Sequence, residues 1–234
     1  VGANYMFSEK SGVFARVNEG SKMPFFDDFR DNFDAYTGGE DLIKEISQFE
    51  LGYKSAQDNF DLYATLYMNE TKGDTFVAVP GGPVQVQTTE SKGIELDFNY
   101  FTDFGLSVNL NATIQDAEIT ESADGNNGND VMRQPGWQIR VTPSYDFELD
   151  DDMYGTLYGT VSAVDDRWGD NENTVPLEGY TKVDLGVILN VTDELKMQLA
   201  VSNLTDKDGV TEGDIRVTSS QNARYILPRT VDFS

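Results

Sequence analysis

The sequence predicts an all-β fold: an antiparallel up-and-down transmembrane β-barrel segment of about eleven strands, with short periplasmic turns and long extracellular loops. The connections carry the first sign. Short turns fall at Glu9-Lys10-Ser11-Gly12, Ala56-Gln57-Asp58-Asn59, Thr102-Asp103, Leu149-Asp150-Asp151-Asp152 and Thr192-Asp193-Glu194, and between them lie long polar segments at residues 21–44, 72–85, 121–133, 165–177 and 206–219. A soluble sandwich has no reason to gather its short connections at one end, whereas an outer-membrane barrel does. Period-two alternation of apolar and polar residues is the second sign. The third is aromatic: Tyr5, Phe7 and Phe14 flank the first short turn, Tyr53 and Phe60 the second, Tyr100, Phe101 and Phe104 the third, and Tyr145, Phe147 and Tyr154 the fourth. Rings gathered at one end of successive hairpins form an interfacial girdle, although the fifth turn lacks them.

The elements follow in order. Residues 1–7, 13–17, 46–53 and 60–68 alternate over short stretches. Ile94, Leu96, Phe98 and Tyr100 then alternate with Gly93, Glu95, Asp97 and Asn99. Leu106, Val108, Leu110, Ala112 and Ile114 oppose Ser107, Asn109, Asn111, Thr113 and Gln115. Trp137, Ile139, Val141, Pro143, Tyr145 and Phe147 face away from Gln138, Arg140, Thr142, Ser144 and Asp146. Residues 153–163 give another strand, and Val183, Leu185, Val187 and Leu189 oppose Lys182, Asp184 and Gly186. Residues 195–201 and 223–234 complete the series; Pro228 confines the last to a bulge or an unpaired N–H position. Ten or so tilted residues at about 3.3 Å each span the apolar layer of a bilayer.

Composition sets limits. The 234 residues carry 17 Lys+Arg against 41 Asp+Glu, a net charge of −24, and that sign argues against nucleic acid as a partner. No stretch approaches the roughly 20 apolar residues of a membrane helix. Membrane strands alternate, so a 38% hydrophobic content leaves a barrel open. Cys and His are both absent, which removes thiolate sites and the commonest catalytic base, so neither an enzyme nor a cofactor is expected. No linker or composition break appears, and residues 1–234 read as one partial β-barrel domain. An open sheet would leave an unpaired edge at each end, which lipid does not tolerate, so an N-terminal half is expected upstream.

Motifs in order support this. Phe14-Ala15-Arg16-Val17-Asn18-Glu19-Gly20-Ser21-Lys22-Met23-Pro24, Phe49-Glu50-Leu51-Gly52-Tyr53-Lys54, Ser91-Lys92-Gly93-Ile94-Glu95 and Ser202-Asn203-Leu204-Thr205-Asp206 follow one another. After them come Gly209-Val210-Thr211-Glu212-Gly213-Asp214-Ile215-Arg216 and Leu227-Pro228-Arg229-Thr230-Val231. This order resembles the C-terminal half of a TonB-dependent outer-membrane receptor, with Thr205 where Phe is usual. The resemblance covers essentially the whole chain and implies a plugged barrel of about 22 strands, of which this chain supplies about the last eleven. It implies uptake of a small nutrient (a siderophore, a cobalamin-like molecule or a saccharide), a TonB complex acting through an N-terminal plug, and residence in the outer membrane among lipid and lipopolysaccharide. Rival readings are a secreted acidic β-sandwich stabilised by Ca²⁺ and a passive porin-like channel.

Candidate site residues lie in two places. In the long loops, Phe25, Phe26 and Arg30, with Phe29, and then Arg167 and Trp168, are candidates for contact with substrate. Asp124-Gly125-Asn126-Asn127-Gly128-Asn129-Asp130 is rich in oxygen ligands but fails the EF-hand spacing and reads as a solvated loop, so no metal site is assigned. Arg16, Glu50, Glu95, Asp97, Arg140, Lys182 and Asp184 are expected to line the lumen, with cross-strand pairing as their simplest use. The acidic loops suit divalent cations that bridge to lipopolysaccharide.

Overall fold

Cross-strand register decides which side chains share a face, and here it lines up one apolar face from edge to edge. The computed structural model describes residues 1–23, 43–76, 85–150, 153–192, 194–214 and 222–234. Its strands are β1 (Gly2–Met6), β2 (Ser11–Lys22), β3 (Lys44–Ala56), β4 (Phe60–Phe76), β5 (Gln85–Phe101), β6 (Leu106–Ser122), β7 (Trp137–Glu148) and β8 (Tyr154–Val164). Then come β9 (Arg167–Trp168), β10 (Pro176–Leu177), β11 (Tyr180–Thr192), β12 (Leu195–Ser202), β13 (Val210–Asp214), β14 (Asn222–Tyr225) and β15 (Thr230–Phe233). An 11-stranded sheet runs β1-β2-β3-β4-β5-β6-β7-β8-β11-β12-β15, while β9 with β10 and β13 with β14 form two-stranded sheets within long loops. All the pairings are antiparallel.

The expected alternation survives in the register. Leu66 faces Ile94, Ile94 faces Ile114 and Ile114 faces Trp137. Val141 faces Val161, Val161 faces Val183, and Leu185 faces Val201. Among the described residues this face has no second layer upon it: Leu66 is 50% exposed and Ile114 59%. A sandwich needs two sheets packed face to face, so the secreted-sandwich reading fails on the fold. Near the short turns the same face carries stacked or tilted ring pairs, Phe7–Tyr53 at 6.2 Å, Phe60–Phe98 at 6.1 Å and Tyr145–Phe147 at 6.5 Å. These rings form a girdle on the apolar face, whereas Phe14, Phe101 and Tyr154, expected in it, lie opposite Gly52, Ser107 and Glu148 on the polar face.

Some boundaries move. Ser11 and Gly12 belong to β2 rather than to the first turn, with the Ser11 and Ser55 hydroxyls 2.9 Å apart. The single strand expected over residues 223–234 is divided: β14 leaves the main sheet to pair with β13, and only β15 pairs with β12. Pro228 stands in the gap, where its missing N–H costs no ladder bond. Strands β4, β5 and β6 each run 17 residues, well beyond the stretch that is apolar on the outward face. Past Met68, Ile94 and Ile114 that face turns charged. Glu19 lies opposite Ser47, Ser47 opposite Glu70, Glu70 opposite Glu90, and Glu90 opposite Glu118. Lys72 reaches Glu70 at 3.0 Å and Lys92 reaches Asp116 at 3.0 Å. The Glu70 carboxylate, by hydrogen bond and by charge, holds the Lys72 ammonium above its usual range.

At the opposite end, Lys10 of the first short turn pairs with Asp58 of the second. That hydrogen bond and charge hold the Asp58 carboxyl below its usual range. A depressed carboxylate stabilises the fold above its unfolded value of about 4, and the benefit is lost as pH falls through the lowered value. The contact should therefore persist at pH 5 and open only in stronger acid, as followed by the Asp58 carboxyl resonance. The apolar face gives a larger effect. Leu185→Arg, near the middle of its strand, should cost about 2–4 kcal/mol in a bilayer, measured by denaturant unfolding in vesicles. Leu185→Cys should resist a water-soluble maleimide, whereas Asn109→Cys on the opposite face should react.

Candidate functional site

Long loops at the end away from the aromatic girdle interlock. The third (residues 123–136) leaves β6 through a turn in which Gly125 (φ 84°) and Gly128 (φ 85°) take left-handed conformations that a Cβ would strain. It folds back on its own strand: the Ile119 amide donates to Asn129 O at 2.8 Å, Gly128 N to Ile119 O at 2.9 Å and Val131 N to Ala117 O at 3.0 Å. Ile119 is sealed beneath it at 0% exposure. The Asn-rich stretch is thus spent on loop structure. Asn127 Oδ1 accepts from Ser122 N at 2.7 Å, and Asn129 Nδ2 donates to Asn171 O at 2.8 Å.

The fourth loop (residues 165–179) holds the β9–β10 hairpin. Its tip is shaped by the buried Asp170 carboxylate, which accepts from Thr174 N at 2.9 Å, Val175 N at 3.0 Å and the Thr174 hydroxyl. It is bound to the third loop along its length. Arg133 N donates to Trp168 O at 2.7 Å, Asp130 N to Asn173 Oδ1 at 2.8 Å and Trp168 Nε1 to Asp130 Oδ2 at 3.0 Å. Asn171 lies at the centre, 1% exposed, its amide donating to Gln87 Oε1 on β5 at 3.1 Å.

The fifth loop (residues 203–229) is closed by a motif the sequence had flagged without a role. Asn203, left-handed at φ 51° and buried, donates through Nδ2 to Lys207 O and Leu227 O at 3.0 Å each. Asp206 Oδ1 accepts from Arg229 N at 2.9 Å. The Asn203-Leu204-Thr205-Asp206 and Leu227-Pro228-Arg229 segments are therefore two halves of one clasp. The loop's hairpin is tied to its neighbours by Arg133–Glu212 at 2.7 Å and by Arg167 Nη2, which donates to Val210 O at 2.7 Å and Thr211 O at 3.0 Å.

These contacts sort the candidate residues. Arg167 is buried, its guanidinium 5.9 Å above the Tyr180 ring, so it braces the fifth loop. Its Nη1 finds no hydrogen-bond partner among the described residues, and it lines the cavity beside Trp168. Trp168 is half-buried and lines a cavity of about 430 Å³ with Gln115, Asp130, Gln134, Asp165 and Glu178. Phe25, Phe26, Phe29 and Arg30 lie outside the described residues. The register puts Arg16, Glu50, Glu95, Asp97, Arg140, Lys182 and Asp184 together on the polar face. There they are met by neighbours: Arg16–Glu50 at 3.4 Å, Lys182–Asp184 at 3.0 Å, Asp97 accepting from Asn99 and Asn111, and Arg140 Nε donating to Ser162 Oγ at 3.4 Å. A rim cavity of carboxylates and amides around one indole can hold a ligand by its donors and an apolar face.

Comparison with known proteins agrees with this geometry. Residues 1–204 match the family described as TonB dependent receptor-like, beta-barrel. The ferrichrome receptor FcuA of Yersinia enterocolitica is 30% identical over 148 residues, 62% of this chain and 19% of its own length. The vitamin B12 transporter BtuB of Photobacterium profundum is 27% identical over 248 residues, 98% of this chain and 36% of its own. The chain thus spans about a third or less of these curated relatives. Among solved structures, the ferric yersiniabactin uptake receptor FyuA of Yersinia pestis superposes with a TM-score of 0.81 at 20% identity, over 98% of this chain and 35% of that one.

The interlock makes a local prediction. Asn171→Ala removes the partner of the buried Gln87 amide, and leaving such a group unsatisfied costs about 1–3 kcal/mol. Hydrogen exchange should quicken at amides of the third and fourth loops while the β2–β4 amides keep their protection.

Proposed function

The chain belongs to the TonB-dependent receptors, and we propose that it forms the wall and outer loops of a receptor importing a scarce nutrient across the outer membrane. Members of this family reside in that membrane, so the continuous apolar face is the lipid-facing wall, the short turns lie in the periplasm and the long loops lie outside. The observation that carries the functional reading is the interlocked loop cluster with its Trp168 cavity, seated at the outer end of that wall. Substrate is captured there. A plug supplied by the rest of the protein completes the site, and the TonB complex drives release. The names of the relatives, receptors for ferrichrome and vitamin B12, favour a siderophore or a cobalamin-like ligand over a saccharide. The family match favours energised uptake over a passive pore.

The charged upper part of the outward face fits the lipopolysaccharide layer. Glu70, Glu90 and Glu118 stand opposite one another, and Lys72 and Lys92 offset only part of that like charge. Divalent cations between these carboxylates and lipopolysaccharide phosphates would offset the rest. Chelation with EDTA should then lower the thermal midpoint of the receptor in lipopolysaccharide vesicles more than in phosphatidylcholine vesicles.

Uptake tests the main reading. The complete receptor, given ferrichrome and cyanocobalamin in turn, should accumulate one of them in cells with TonB, and only bind it in cells without. Accumulation independent of TonB would return the passive-channel reading. Trp168→Ala should weaken capture by about 10- to 30-fold, the effect of removing a central aromatic anchor, with heat-modifiable migration of the barrel unchanged.

A further inference from the structure

Tyr67 is a buried aromatic, 8% exposed, on a lumen face that is otherwise mostly polar. It lies flat because its cross-strand partner is Gly93: a Cβ there would meet Tyr67 Oη at 2.7 Å and Cζ at 2.8 Å. The same seating recurs where Phe14 covers Gly52 and Tyr158 covers Gly186. Tyr67 differs in what its hydroxyl reaches. It donates to Gln115 Oε1 at 2.8 Å, and Gln115 Nε2 in turn donates to Pro135 O at 3.0 Å and Gln134 Oε1 at 3.1 Å. The Gln115 amide adds a bond to Gly136 O at 2.8 Å. Residues 134–136 are the foot of the third loop, where it re-enters the sheet at β7. From that foot the loop runs on to Arg133, Asp130 and Asn129, which hold the fourth loop, and Arg133 reaches Glu212 in the fifth.

We propose that Tyr67 and Gln115 are positioning residues, a latch that seats the interlocked loops on the lumen wall. The proposal rests on the reading that these loops receive the ligand. Tyr67 does not line the Trp168 cavity; Gln115 does, and its latch role is its hold on the loop's foot. Gly93 gives the ring its place on the wall, the ring fixes the hydroxyl, and the hydroxyl orients a glutamine whose amide cannot then turn away from the loop. Two donors of one side chain meet at the loop's foot, so releasing Gln115 frees the third loop first and the loops hydrogen-bonded to it next. The β-strands below keep their own ladders and are unaffected by the release.

These 234 residues hold no cysteine, so an introduced thiol is the one thiol of this segment, and the receptor without it gives the labelling background. Ile119→Cys lies sealed under Gly128 and Asn129, and reacts with a water-soluble maleimide only when the third loop lifts. The complete receptor is labelled in outer-membrane vesicles without ligand, so the latch can fail while ligand capture stands, and the reverse. Tyr67→Phe deletes only the hydroxyl. Gln115→Glu keeps an acceptor for that hydroxyl but removes the donors to Pro135 and Gln134. Each should speed labelling at position 119 by about 3- to 10-fold, as expected for one or two lost hydrogen bonds. Labelling of the lumen control Asn109→Cys and heat-modifiable migration should stay as in the parent. Labelling at 119 within about twofold of the parent in both variants overturns the latch. So does equal acceleration at 109, which would mean a loosened wall, and so does a parent already fully reactive at 119.

Discussion

One continuous apolar face that no described residue covers is the constraint on which the remaining structure depends. In water such a sheet would associate or collapse; in a bilayer the lipid supplies the missing layer. The face explains why the strands alternate so strictly, since a slip of one residue would turn Leu66, Ile94 and Ile114 to the lumen and their polar neighbours to lipid. It also explains where the rings gather, because an aromatic body and polar tip suit the boundary between hydrocarbon and headgroup.

Above the lipid the physics changes. The strands continue past the apolar band, and side chains there are chosen for hydrogen bonding. The loops bury polar groups that water would otherwise satisfy, so buried amides and guanidinium groups seek partners across and within the loops. Asn171 and Arg167 meet groups of neighbouring loops and Asn203 groups of its own, and the result is a cluster held by directional bonds, with Ile119 and Leu177 as buried hydrocarbon. Such a cluster is specific in geometry and modest in stability.

The strands and their facing were legible, and so was the end at which the long loops gather. Individual site residues were not. Arg167 and Trp168 are adjacent in sequence and both line the cavity, yet Arg167 also braces the fifth loop from within. Nothing local to Tyr67 marks the glycine across the ladder on which it lies. Asn203 had a signal in its motif, but the motif's partner, Leu227-Pro228-Arg229, was read separately as part of a strand.

The sequence by itself determined the class of fold, the eleven-strand count, the lipid-facing set and the end at which the loops lie. Those properties rest on period-two alternation and turn chemistry, which are local and repeat along the chain. Tertiary structure decided how the loops interlock, why the last strand divides at Pro228, and which polar residues are buried. Those depend on pairs such as Asn171 with Gln87, 84 positions apart, and Arg133 with Glu212, 79 apart. A hydrogen bond between distant loops requires a certain geometry but leaves no period in the sequence, so only the folded chain reveals it.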